Sequence, residues 1–188
     1  MKIHLEGNST ASHQLAHRSG GGKRAKLAIV LGVLSLAFLN APAANAGANA
    51  TIYTSLANGS SKKCLSIYGG GAANGTPAVQ WTCMGHGDQM WALSYVDGKF
   101  FKIVNMDNKC LETPDWRQDR GVQLRQWDCH GGNSQLWSIY YNDGGNRLVL
   151  GNKHSEKCIS AEGGQQGDGV RIIQWDCTGA ADQLWSLK

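Results

Sequence analysis

Three stretches of this chain lie on one template, and that repetition limits its fold more than any other feature. Lys63-Cys64-Leu65, Lys109-Cys110-Leu111 and Lys157-Cys158-Ile159 open the three copies, so the first cysteines recur at intervals of 46 and 48 residues. In every copy the second cysteine (Cys83, Cys129, Cys177) follows the first by 19 residues. Trp81, Trp127 and Trp175 stand two residues before that cysteine, and Trp91, Trp137 and Trp185 stand ten beyond them. A unit of this size cannot bury an apolar face alone, whereas three like units can share one core.

The cysteines narrow the fold further. All six lie in the repeats, one pair per copy. Six cysteines permit fifteen pairings, and the constant spacing argues for the three local ones: Cys64–Cys83, Cys110–Cys129 and Cys158–Cys177. Such disulfides suit an oxidising destination, and each loop closure is worth about 3 kcal/mol. A zinc site is disfavoured. There is no C-x2-C pair, and Cys129-His130 has no counterpart in the other copies.

Within each copy the apolar pattern is that of short strands. Ile52–Leu56, Phe100–Val104 and Arg147–Leu150 precede the first cysteines, and the runs ending in Gln-Trp-x-Cys and Gln-x-Trp-x-Leu/Ile follow. Turn chemistry separates them at Asn74-Gly75, Asp97-Gly98, Asp107-Asn108 and Asp143-Gly144-Gly145, with Gly-rich runs at 69–71 and 163–167. No segment of the repeats reads as a helix. Four strands per unit give an all-β fold of about twelve strands. Three units fall below the usual four to eight blades of a propeller, so a closed β-trefoil is expected, with repeats at about 51–96, 97–143 and 144–188.

Ahead of the repeats, Lys23, Arg24 and Lys26 run into the apolar stretch Leu27–Leu39, followed by Ala44-Asn45-Ala46 and Ala48-Asn49-Ala50. A basic segment, a short apolar segment and A-x-A sites describe a secretory signal peptide over residues 1–46, with cleavage after Ala46 or Ala50. The apolar run is short for a bilayer span, so membrane insertion is not expected. Its basic segment is long: either the signal is extended or translation starts after Met1. The formal charge of +4 belongs to this leader, because the remainder balances 13 basic against 13 acidic residues. A balanced domain has no electrostatic footprint for nucleic acid. The expectation is a secreted, extracellular, monomeric domain, residues 47–188, that needs no cofactor or metal.

Gln89-Met90-Trp91, Gln135-Leu136-Trp137 and Gln183-Leu184-Trp185, each preceded by K-C-[LI] and W-x-C, resemble the repeat of the ricin B-type lectins, a family overlapping carbohydrate-binding module family 13. The resemblance runs from about Thr51 to Lys188. It implies a β-trefoil with one shallow sugar pocket per repeat. In binding repeats of that family a carboxylate two residues after the first cysteine accepts hydrogen bonds from sugar hydroxyls. An aromatic ring before the second cysteine stacks on the sugar face, and an Asn-Gln pair completes the polar set. A pyranose offers an apolar C–H face to the ring and vicinal hydroxyls to the polar groups.

Carried onto this chain, the stacking positions are Trp81, Trp127 and Trp175, and the glutamines are Gln89, Gln135 and Gln183. The glutamines are expected to tie loop backbone as well as ligand. The carboxylate position departs from the family, reading Ser66, Glu112 and Ser160, and the Asn position reads Asp88, Ser134 and Asp182. If the two positions face each other, every pocket keeps one acid and one hydroxyl, with the acid moved across in repeats one and three. The alternative is that these residues are solvent-facing loop ends. Trp116, the one tryptophan outside the register, is a candidate second stacking platform or a piece of local packing; Tyr68 is a similar candidate. Arg125 could reach an acidic sugar or pair with a nearby acid such as Asp128. Trp91, Trp137 and Trp185 read as core.

No H-E-x-x-H, G-x-S-x-G or phosphate-binding glycine motif occurs in the repeats, and the repeats leave no length for a catalytic domain. The expected function is non-catalytic binding of glycan or polysaccharide of galactose or xylose type. The competing readings are a protein-binding or inhibitory β-trefoil and a targeting subunit for a separate toxin or hydrolase.

Overall fold

Each repeat folds into the same four strands. The computed structural model describes residues 51–142 and 144–188, and the expected signal peptide and its cleavage sites lie outside the described residues. Repeat one holds β1 (Leu56–Asn58), β2 (Cys64–Ile67), β3 (Ala78–Trp81) and β4 (Trp91–Asp97). Repeat two holds β5 (Phe100–Asn105), β6 (Lys109–Glu112), β7 (Arg125–Asp128) and β8 (Trp137–Tyr141). Repeat three holds β9 (Leu148–Asn152), β10 (Cys158–Ala161), β11 (Ile172–Trp175) and β12 (Trp185–Leu187). All pairings are antiparallel.

The first and last strands of each repeat build the barrel. The circuit runs β1–β12–β9–β8–β5–β4, and Thr54 closes it by exchanging backbone hydrogen bonds with Trp91 at 2.9 and 2.8 Å. Closure removes the sheet edges that would otherwise template aggregation. The middle strands form three hairpins, β2–β3, β6–β7 and β10–β11. Bridges Pro77–Arg125, Val79–Arg171 and Gln123–Ile173 tie each hairpin to the next. Together these make a β-trefoil. The expected strand Ile52–Leu56 begins later, at Leu56: Ile52 is exposed, and ahead of Leu56 only Thr54 and Ser55 make backbone pairings, with Trp91 and Lys188. Among the described residues, six single turns of 3-10 helix, such as Gly87–Gln89, were not read from the sequence; three residues are too few for a helical period.

The core is threefold like the sequence. Trp91, Trp137 and Trp185 are fully buried among Leu56, Leu65, Ile103, Leu111, Leu150 and Ile159. Each indole N–H donates to a strand carbonyl 26 residues back: Leu65 at 3.0 Å, Leu111 at 3.0 Å and Ile159 at 3.2 Å. A buried indole needs that partner, since an unmet N–H in the core is costly. The three disulfides are the local ones, Cys64–Cys83, Cys110–Cys129 and Cys158–Cys177. Each clamps the base of its own hairpin.

Repeats are locked to one another by residues of the Gln-Trp-x-Cys stretch. Gln80, Gln126 and Gln174 are fully buried. Their amides donate to loop carbonyls of a neighbouring repeat: Gln165 and Gly167, Gly71 and Ala73, Arg117 and Asp119. Beside them, the loop glycines Gly75, Gly121 and Gly169 press on Trp127, Trp175 and Trp81. A Cβ at these glycines would lie 3.5, 3.8 and 3.6 Å from the indoles, and all three have φ between +75° and +85°, where a side chain is disfavoured.

Candidate functional site

In repeat one the hairpin and the turn after it converge on a cavity of about 420 Å³, lined by Ser66, Tyr68, Val79, Trp81, His86 and Asp88 among others. Antiparallel register sets Ser66 opposite Val79, and the turn Gly87–Gln89 brings Asp88 to the serine. Ser66 Oγ donates to Asp88 Oδ2 at 2.5 Å. Repeat three repeats the arrangement. Ser160 Oγ donates to Asp182 Oδ2 in a cavity of about 510 Å³ lined by Ser160, Glu162, Ile173, Trp175, Thr178 and Asp182 among others. Both volumes fall in the range of small-molecule pockets.

The acid and hydroxyl expected to face each other in these two repeats therefore do so. Each serine donates to one carboxylate oxygen, and the other has no partner among the described residues. Trp81 and Trp175 stand at the rims, 37% and 39% exposed. An exposed indole face beside a carboxylate oxygen is the pairing that a pyranose with vicinal hydroxyls requires. Tyr68, 59% exposed, adds a second aromatic ring to the first cavity, where repeat three has Glu162 paired with Arg171 at 2.6 Å.

The glutamines do structural work. Gln89 Oε1 accepts the backbone N–H of Met84 at 2.8 Å, and its amide donates to Thr82 O at 2.9 Å. Gln183 makes the equivalent bonds with Thr178 N–H and Asp176 O. Gln135 does so with His130 N–H and Asp128 O. All three are buried. Their amides fold the loop that carries the acid, so their contribution to a ligand is to position the pocket wall.

Repeat two departs from the expected pairing. Glu112 is 3% exposed and does not meet Ser134, which is buried. Instead, Glu112 Oε1 accepts from Arg125 Nε at 2.8 Å, and Oε2 accepts from Gln135 Nε2 at 2.8 Å and meets His130 Nε2 at 3.1 Å. The extra reach of Glu over Ser brings it to a cation across the hairpin. Nor does Arg125 pair with Asp128: its second acid is Asp115, at 3.1 Å, while Asp128 takes Lys109. The guanidinium lies 4.2 Å from the centre of the Trp127 ring. Trp116 is half exposed and packs against His130 and His154, with ring centres 6.3 and 5.1 Å away. The Glu112–Arg125 pair and the two histidines beside Trp116 were missed from the sequence. The register of two cysteine-anchored strands was the available signal for the first.

Residues 52–185 match the family model of the ricin-type β-trefoil lectin domain. The chain belongs to that family. As a ricin-type β-trefoil lectin domain it is a non-catalytic module of carbohydrate-binding type. Among the described residues no group of three or more His, Cys, Asp or Glu is placed to hold a metal, and no helix is long and apolar enough to cross a membrane.

Several solved structures superpose on the domain. A designed threefold-symmetric protein, ThreeFoil, matches with a TM-score of 0.70 and 26% identity, over 72% of this chain and 96% of that one. An exo-β-1,3-galactanase from Clostridium thermocellum matches with a TM-score of 0.70 and 31% identity, over 75% of this chain but 31% of the enzyme. This chain thus spans under a third of the galactanase. The hemolytic lectin CEL-III matches with a TM-score of 0.59 and 25% identity, over 72% of this chain and 29% of the lectin. No curated protein matches at the level of sequence.

Proposed function

We propose that this lectin domain is a secreted glycan-binding module that holds pyranose rings in the pockets of repeats one and three. Trp81 and Trp175 supply the stacking faces, and the Ser66–Asp88 and Ser160–Asp182 pairs supply the hydrogen-bonding groups. The observation that carries this reading is the two serine–aspartate pairs, each inside a cavity with an exposed indole at its rim. Residues 1–46 act as the export signal and residues 47–188 as the mature domain, in keeping with three disulfides that need an oxidising compartment. The domain acts as a monomer.

The shallow sites each bind weakly, on the order of 4 kcal/mol at millimolar affinity. Useful strength comes from engaging one polymer at two sites, which raises avidity without new contacts. Polysaccharides are therefore preferred over monosaccharides, and galactose- and xylose-containing polymers come first, given the similarity to a galactan-degrading enzyme.

The test is retention of the mature domain on insoluble polysaccharides and on galactose and xylose columns, with free sugar as competitor. Retention released by free sugar supports the proposal. Absence of retention on every glycan, with specific capture of one protein, would replace it with the protein-binding reading.

A further inference from the structure

In the register of the hairpins, Ser66 faces Val79 and Ser160 faces Ile173, but Glu112 faces Arg125. We propose that Arg125 is a built-in occupant of the repeat-two pocket and Trp116 its lid, so that the domain carries two open sugar sites in place of three. This rests on reading the other two pockets as sugar sites.

The geometry gives Arg125 both contacts that a pyranose would need there. Its Nε donates to the carboxylate of Glu112 at 2.8 Å, and its guanidinium plane carbon sits 4.2 Å from the Trp127 ring centre. A flat cation on an indole face is favourable in itself, and the fork geometry of guanidinium suits a carboxylate. Glu112 has no oxygen left over: Gln135 and His130 take the second one. His130 Nδ1 accepts the N–H of Gly132 at 3.1 Å, which leaves Nε2 to donate to Glu112. Both oxygens of the acid a sugar would seek are already engaged within the chain. A weakly binding ligand has to compete with a partner tethered at the site itself.

The lid has its own evidence. Asp115 and Trp116 hold φ of +54° and +55°. The other repeats place glycines there, Gly69-Gly70 and Gly163-Gly164, at φ between +60° and +66°. Consecutive non-glycine residues in this region persist only when their surroundings hold them. Here Asp115 is held by Arg125 Nη2, and Trp116 O meets His154 Nε2 at 2.8 Å. The indole reaches across to the loop beyond Cys129: a Cβ on Gly132 would lie 2.8 Å from Trp116 Cη2. The turn on one side of the pocket thus touches the loop on the other. Open pockets one and three have no aromatic residue at the equivalent positions, Gly70 and Gly164.

Oxidation of indoles by N-bromosuccinimide, read by peptide mass spectrometry on the intact mature domain, tests the closure without any sugar. Trp81 and Trp175 are expected to react at least fivefold faster than Trp127. The variant E112S/R125V/W116G, which copies the repeat-one residues, is expected to bring Trp127 up to the rate of Trp81. R125K, which keeps the charge but not the planar stack, serves if that variant does not fold, and should also raise Trp127 reactivity. Equal rates for Trp127 and Trp81 in the unmodified domain would overturn the proposal, whether or not any glycan binds. With a bound glycan in hand, titration calorimetry should count two sites per unmodified chain; three would likewise overturn it.

Discussion

Asp168 of repeat three reaches across the seam to repeat one, where it accepts the backbone N–H of Thr82 at 2.7 Å. Lys63 completes the contact at 2.8 Å. The same position in the other repeats is Asn74, bonded to Asp128, and Arg120, paired with Asp176. Three equivalent ties thus join each repeat to the next at its hairpin loop.

These seams set the acid response. The hydrogen bond from Lys63 holds the Asp168 carboxyl below the ordinary carboxylate range; Lys109 does the same for Asp128 and Lys157 for Asp176. A folded-state pKa below the unfolded one means that the native state binds fewer protons. The stabilisation is present above about pH 4, the unfolded value, and is lost as pH falls through the depressed folded values. The melting temperature, followed by circular dichroism, should be level from pH 7 to about 5 and fall below 4. D168N should shrink that fall. Because these carboxyls are exposed, the effect of each is small.

Removing a core indole should do much more. Trp137→Ala deletes a fully buried ring and leaves Leu111 O without its donor, at an expected cost of about 3–5 kcal/mol. Denaturant unfolding measures it. A loss under 1 kcal/mol would mean that the barrel does not depend on its threefold indole layer.

A disulfide staples one hairpin rather than the whole barrel. The double variant C158S/C177S should lose roughly 3 kcal/mol while keeping its strand content by far-ultraviolet circular dichroism. Global unfolding at room temperature would show that this staple is essential for the barrel to form.

Binding and stability should separate at the pockets. Trp81→Ala removes a partly exposed ring, so the melting temperature should hold. Affinity for a glycan that binds repeat one should drop roughly 2- to 10-fold, the worth of an aromatic contact. Gln183→Ala, in contrast, strips the anchors of Thr178 N–H and Asp176 O and should destabilise by about 1–3 kcal/mol. Calorimetry of binding and of unfolding on the same two variants distinguishes the roles. Equal stability losses for both would contradict the assignment of the rim.

Much of the molecule was legible in one dimension because its information is repeated three times. The cysteine spacing carried the disulfides, the Gln-x-Trp triplets carried the core indoles, and the strand runs carried the all-β class. Ser66 and Asp88 were readable as a pair through the resemblance to the lectin repeat, which implies that the two positions face each other. The inter-repeat role of Gln80, Gln126 and Gln174 was not readable. Their identity in every copy marks them as required, yet the carbonyls they reach lie at least 53 residues away along the chain.

The pattern of residues along the chain therefore settled the barrel and its staples, since those follow from periodicity and constant spacing, while the expected place of the pockets came from the likeness to the lectin repeat. Whether a pocket stands open was decided only in three dimensions. Glu112 alone reads as a sugar acceptor, and Arg125 alone as a surface cation. Strand register sets them face to face, and a salt bridge forms wherever opposite charges are brought within reach, however the letters between them are spelled.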